Sequence, residues 1–146
     1  EDYSRLVYSL VLGGVIDQYV IDYCRRHESI PAVDEFHYTA EDFEDFIKFA
    51  LTQEFDYRSS AKTYYDQMKK ELEKDGLAES MKDQLDALEK SLEIEKEQFL
   101  RLKMDEIIPF IEEELAIRYW FQEAGIKVRL RYDDQLKKAL VADYNL

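Results

Sequence analysis

Glycine, proline, cysteine and histidine are all scarce in this chain, and each scarcity excludes something. Four Gly and two Pro in 146 residues supply too few turns for an all-β fold and favour long helices. Cys24 is the only cysteine, so no intrachain disulfide can form, although that leaves the compartment open. With two His, the chain holds only three Cys or His side chains, short of the four that a structural zinc usually takes. No run of about 18 apolar residues is present to span a membrane; the longest, 10–16, is interrupted by two glycines. No signal-peptide pattern is visible. There is no initiating Met, and Glu1-Asp2-Tyr3 already lies in a helical pattern. The chain therefore reads as an excised piece whose targeting signals would lie elsewhere. Basic residues are few as well. Lys and Arg number 20 against 33 Asp and Glu, a net charge of −13, which repels phosphate backbones and anionic lipid and argues against nucleic-acid or membrane contact. The acidic excess is spread along the chain, as on solvated helix surfaces.

What is present suits one globular domain over residues 1–146. Hydrophobic residues make up 46 % and charged residues 36 %, and the length supports a sizeable core. Apolar periodicity predicts an all-α bundle of about five to six helices. Tyr3, Leu6, Leu10, Val20, Ile21 and Cys24 share one face of a helix over 3–26. Gly13-Gly14 lies within it, so either the helix kinks there or a neighbour packs too close for a side chain. Thr39 caps a second helix, to about 53, with Phe43, Phe46, Ile47, Ala50 and Leu51 inward. Ser59 or Ser60 caps a third, to about 74, stopped by Gly76. A fourth, over 77–104, carries the narrow seam Leu77, Met81, Leu85, Leu88, Leu92, Phe99 and Leu102. It reads as one side of an antiparallel pair that projects from the body.

The stretch 105–125 reads as the central helix, because apolar residues cover more than half its circumference. Ile107, Ile108, Ile111, Leu115 and Tyr119 form one stripe, and Phe110, Ile117 and Phe121 a second. Pro109 sits in its first turn or kinks a helix continuous from 77. Residues 126–132 alternate like a strand but lack a partner strand, so helix is favoured there. Asp133 caps a last helix over about 134–141.

Few residues suggest chemistry. Ser59-Ser60-Ala61-Lys62 matches S-x-x-K but lacks the companion motifs of serine acyl-enzymes, and an N-cap serine explains it. Cys24-x-x-His27 with His37 is too small a set for zinc. Paired carboxylates such as Glu112 and Glu114 are uninformative without a cleft. The informative pair is Glu114 and Arg118, four residues apart and inside the apolar arc. Placed there they should be desolvated, with Asp17 as a second acceptor for Arg118. The structural reading is an ion-pair network Asp17–Arg118–Glu114; the alternative is an Arg that binds a carboxylate or peptide. No catalytic, cofactor-binding or metal-binding residue is expected.

These residues resemble the C-terminal helical domain of the carboxyl-terminal processing (tail-specific) serine peptidases, of the type in large, exported bacterial members. The likeness runs from about Gly13 to Leu140. Gly14-Val15-Ile16-Asp17 with Tyr23 carries it first. Phe43-x-x-Phe46-x-x-Phe49 and Phe55-Asp56-Tyr57 follow. Its strongest part is Glu114-Leu115-Ala116-Ile117-Arg118-Tyr119-Trp120-Phe121-Gln122 with Gly125, then 133–140. Pro109 departs from the family's uninterrupted helix. The resemblance implies a Ser nucleophile and a Lys general base in a separate upstream core, plus a PDZ-like domain that holds substrate tails. No catalytic residue maps onto this chain, and Ser59 and Lys62 do not match that pair. The resemblance implies a non-catalytic domain of a periplasmic or otherwise exported serine endopeptidase. It would brace the core and the PDZ-like domain, contribute to substrate access or mediate self-association, and it would need no cofactor. The alternative is a stand-alone helical adaptor or scaffold.

Overall fold

The computed structural model describes residues 3–133, which form seven α-helices and no strand. The last helix expected from the sequence, over 134–141, lies outside the described residues. Helix α1 (Arg5–Leu12) is capped by the Ser4 hydroxyl. It ends at Gly13-Gly14, and α2 (Val15–Arg26) starts afresh. Gly14 has φ 77°, a left-handed conformation that a side chain disfavours, so the glycine pair separates two helices where one was predicted. Thr39 and Asp42 bond reciprocally, each side chain to the other's backbone N–H, and launch α3 (Phe43–Ala50). Ser59 caps α4 (Ser60–Lys74) by accepting from the Lys62 N–H at 3.1 Å. Leu77 N–H then bonds Leu72 O and Gly76 N–H bonds Glu73 O, the paired bonds of a Schellman stop.

The single helix predicted over 77–104 is a misreading. A short 3-10 turn leads into α5 (Lys82–Leu92), the chain runs extended through Glu93 and Glu95, and α6 (Lys96–Leu102) follows. The seam ignored two apolar residues, Ile94 and Leu100. Ile94 packs against the main core and Leu100 is wholly buried in it, which requires the chain to turn inward after Leu92. The antiparallel pairing does exist, between α4 and α5, which pack chiefly on each other. Their shared seam of Tyr65 and Leu85 is buried but belongs to neither core cluster. At 1.5 Å per residue this arm is about 22 Å long.

Helix α7 (Met104–Tyr132) begins after a bend at Lys103, and Pro109 is accommodated inside it. At Phe121 the backbone leaves helical geometry, with φ 68° and ψ −175°. Beyond that residue Gly125 lies against Ile117, Arg129 reaches Glu113 and Tyr132 reaches Glu112. These numbers mirror one another about Phe121. The two limbs, 104–120 and 122–132, therefore fold back as a helical hairpin. Residues 126–132 are helical as favoured, but on a returning limb. The hub of the fold is α2, which packs on α1, α3 and α7. Tyr19 and Val20 of α2 and Ile107, Ile111 and Leu115 of α7 lie fully buried in one cluster. A smaller cluster of Ala116, Ala124 and Val128 seals the hairpin.

Candidate functional site

The connection between α2 and α3 is irregular, so its backbone carbonyls lack the partners a helix would give them. Side chains of α7 supply donors. Tyr119 OH donates to His27 O, Trp120 Nε1 to Pro31 O at 3.1 Å, and Arg131 to Val33 O at 2.6 Å and Phe36 O at 2.9 Å. Tyr119 and Trp120 come from the end of the outgoing limb and Arg131 from the returning limb. Only the reversal at Phe121 brings them to one strip of surface. Tyr119 and Trp120 thus have a specific task with Arg131, strapping the 27–38 connection to the hairpin.

The anchor of this strap is Glu112, the one charged side chain buried among the described residues, 1 % exposed. Its carboxylate takes the Arg131 guanidinium and the Tyr132 hydroxyl, and His37 Nδ1 lies 4.0 Å away. Arg131 Nη1 also faces His37 Nδ1 at 3.1 Å. Nη1 carries two protons, and the Glu112 and Phe36 oxygens take them, so the imidazole is a close neighbour of this cluster. Burial and the bond to Glu112 push the Tyr132 hydroxyl well above its usual value. Sequence reading passed over Glu112 as one acid among many. A signal existed, since Ile108, Glu112 and Ala116 are one turn apart on a buried line, but its partners lie 19 and 20 residues on, across the reversal.

The expected network at Asp17, Arg118 and Glu114 takes a different form. Arg118 Nη2 meets Asp17 Oδ1 at 3.0 Å, with the two side chains 44 % and 55 % exposed. Arg118 makes no ion pair with Glu114, so the desolvated pair predicted from the apolar arc is corrected. The returning limb and α2 divide that arc between them, and Glu114 and Arg118 fall at its open edge beside α2. Burial, then the charges of Glu113 and Asp17, raise the Glu114 carboxyl, with Arg118 opposing. An exposed pair such as Asp17–Arg118 contributes about 0–1 kcal/mol.

A second polar cluster joins α2 to α3. Tyr19 OH lies 2.7 Å from Tyr38 OH and 2.9 Å from Asp45 Oδ2, and Arg26 Nη2 lies 2.7 Å from the same carboxylate oxygen. Each hydroxyl has one proton. Tyr38 OH also donates to the Asp42 backbone oxygen at 3.0 Å, so two protons serve three contacts. Tyr19 donates to the ionised Asp45 carboxylate, and Tyr38 shares its proton between Asp42 O and the Tyr19 oxygen. Burial works against the Asp45 charge, but the bonds from Arg26 and Tyr19 outweigh it and hold the carboxyl low. Burial raises both phenols.

Neither cluster contains a nucleophile beside a base. The S-x-x-K match dissolves as well. Ser59 Oγ is spent on the Lys62 backbone N–H at 3.1 Å, while Lys62 Nζ bonds Asp66 at 2.8 Å and Glu89 at 3.2 Å. The Asp66 bond, backed by Glu89, raises the Lys62 ammonium, the wrong direction for a general base. His27 stacks on Tyr23 at 3.9 Å and its Nδ1 bonds Tyr23 O. Among the described residues no group of three or more His, Cys, Asp or Glu could hold a metal ion, and no helix is long and apolar enough to cross a membrane.

Fold and site together define a helical domain whose polar clusters lock its own loops and leave one helical arm standing out. The family model described as "Probable PDZ-protease, C-terminal helical domain" matches residues 6–142, and the chain belongs to that family. No curated protein and no solved structure matches.

Proposed function

We propose that this domain is the non-catalytic helical part of an exported serine endopeptidase, where it braces the catalytic core and the PDZ-like domain and contributes to substrate access. The observation that carries the reading is the use of every polar cluster in self-locking, in a chain matched to a protease's C-terminal helical domain over 6–142. Loops strapped by Tyr119, Trp120 and Arg131 suit a rigid brace. The periplasmic setting rests on the likeness to large exported peptidases, and cell fractionation of the full-length protein tests it. The test of function is peptidase activity of the full-length protein with and without residues 1–146, on an unstructured peptide with a free C-terminus. Turnover should fall on deletion, and the isolated chain should show none. Unchanged kcat/KM after deletion, or Ser-dependent turnover by residues 1–146 alone, refutes the proposal. A stand-alone adaptor is the second reading, favoured by the exposed apolar face of the α4–α5 arm. A full-length protein without Ser-dependent peptidase activity would select it.

A further inference from the structure

Along the chain, the main core stops at Phe55 and resumes at Ile94; among the described residues no hydrophobic side chain between those two joins it. The stretch 60–92 holds itself together instead. Among the described residues, every side-chain hydrogen bond and ion pair of α4, α5 and the turn between them ends within that stretch or at the Ser59 cap. Lys62 joins Asp66 and Glu89, Lys69 meets Glu89 at 4.0 Å, and Tyr65 donates to Leu85 O at 2.8 Å. Two short connections tie this arm to the body, and both are extended. Ser59 has φ −71° and ψ 156°, and Glu93 has φ −68° and ψ 129°. Their body ends are pinned. Asp56 takes Arg5 at 2.9 Å, while Lys96 donates to Gln53 O and lies 4.4 Å over the Phe55 ring. Two hollows flank the root of α4. One, about 330 Å³, opens between Arg58 and Lys62 on one side and Leu92 and Glu93 on the other. The second, about 480 Å³, separates Ser60 from Arg5, Ser9 and Leu12 of α1. Lys62 and Ser60 point about 160° apart on the helix, so the root of the arm has open space on both sides.

We propose that residues 57–59 and Glu93 form a hinge about which the α4–α5 arm swings as a rigid body, toward α1 and away from it. A segment with its own small core and few contacts to the rest is the unit that moves separately. Residues at the ends of elements are where a hinge absorbs its change in φ and ψ. Ser59 and Glu93 hold those positions, at the start of α4 and the end of α5. Two connections lying side by side restrict the motion to rotation about the line that joins them. The Lys62 bonds to Asp66 and Glu89 travel with the arm, and the Arg5–Asp56 pair stays with the body, so the swing breaks neither. Over an arm about 22 Å long, a rotation of about 30° carries the tip about 11 Å. The body, strapped by Tyr119, Trp120 and Arg131, takes no part in the motion. The inference does not depend on the peptidase reading.

Double electron–electron resonance on the full-length protein is the test, with every native cysteine, Cys24 included, replaced by alanine. Spin labels at Leu12→Cys in α1 and Asp83→Cys near the arm tip report the swing. Labels at Ala61→Cys and Asp83→Cys report the arm itself. All three positions are exposed. The first pair should give distances spread over about 10 Å or more, and the second a single narrow peak. Glu93→Gly adds backbone freedom at an exposed position of the hinge. It should broaden the first distribution further and leave the second unchanged. Circular dichroism equal to the parent's shows that each variant still folds. A narrow first distribution would overturn the proposal, because the arm is then fixed to the body. Two broad distributions would do the same, because the arm then frays instead of swinging. So would a Glu93→Gly variant that leaves the first distribution as it was, because the rotation would then lie elsewhere.

Discussion

Replacing Phe121 with glycine should make the protein more stable, although it deletes a large aromatic side chain. Phe121 is the only non-glycine residue with positive φ among those described, at φ 68° and ψ −175°, a region populated almost only by glycine. Strain of this kind costs about 1–3 kcal/mol. The side chain repays little of it. A fully buried Phe contributes roughly 1.5–3 kcal/mol, and this one is 77 % exposed, so about 0.5 kcal/mol is at stake. Glycine adds about 0.4–1 kcal/mol of unfolded-state entropy against the fold. The balance is a gain of roughly 1 kcal/mol, or about 3 °C in Tm for a chain of this size. Phe121→Ala separates the terms, because it loses the ring yet keeps a Cβ that dislikes this φ. The glycine variant should exceed the alanine variant by about 1–2 kcal/mol in urea unfolding followed by circular dichroism. If the two are equal, the reversal at 121 is unstrained and the hairpin geometry argued from it is wrong. If glycine is the less stable by about 1 kcal/mol or more, the ring is packed against something absent from these contacts.

Other parts of the hairpin give further tests. A Cβ at Gly125 would sit 2.8 Å from Ile117 Cδ1 and closer still to Cγ1, so Gly125→Ala should cost about 1–3 kcal/mol by overpacking. Adding Ile117→Ala should recover part of that loss in a double-mutant cycle on the same unfolding curves. Arg131→Met leaves the Glu112 carboxylate buried with Tyr132 but no cation, and should cost about 3–5 kcal/mol; a loss below about 1 kcal/mol would show that water reaches Glu112. Glu114→Gln should stabilise the protein at neutral pH. The folded carboxyl is raised by burial and by Glu113 and Asp17, so its favourable contribution is complete below the unfolded value near pH 4 and vanishes as pH rises through the folded value. Above that it opposes folding, by less than about 1 kcal/mol for a half-exposed group. The gain on substitution should disappear near pH 4, and a variant less stable than the parent at pH 7 would reverse the sign.

The elements most visible in the sequence were those written in local chemistry. Thr39 and Ser59 as caps, the Gly76 stop and the apolar stripes of α3 and α7 were legible because each acts within one or two turns. The break after Leu92 was hidden because the seam from Leu77 to Leu102 is regular by itself, and only the burial of Ile94 and Leu100 in a distant core ends the helix. The reversal at Phe121 was hidden for a stronger reason. Propensity places a Phe inside a helix, and nothing near it resembles a turn. Gly125 carried the only hint, and its meaning depends on what it meets.

Glu112 and Phe121 belong to one physical statement. A carboxylate buried to 1 % needs its counter-charge within hydrogen-bond reach, and the limb before the reversal offers none, since Arg118 goes to Asp17 at 3.0 Å. The cation must therefore come from Arg131, which requires the helix to fold back within a few residues of 121. No glycine or proline stands there to ease the turn, so Phe121 takes the strain, and burial of Ala116, Ala124 and Val128 between the limbs offsets it. The same reversal delivers Arg131 to the carbonyls of Val33 and Phe36, which Tyr119 and Trp120, ending the outgoing limb, cannot reach. Releasing the strain alone should leave the strap intact, whereas removing Arg131 should loosen the 27–38 connection together with the returning limb. Hydrogen exchange of the two segments in Phe121→Gly and Arg131→Met distinguishes these outcomes, and faster exchange of 27–38 in the glycine variant would mean that the strap depends on the Phe121 ring rather than on the fold-back.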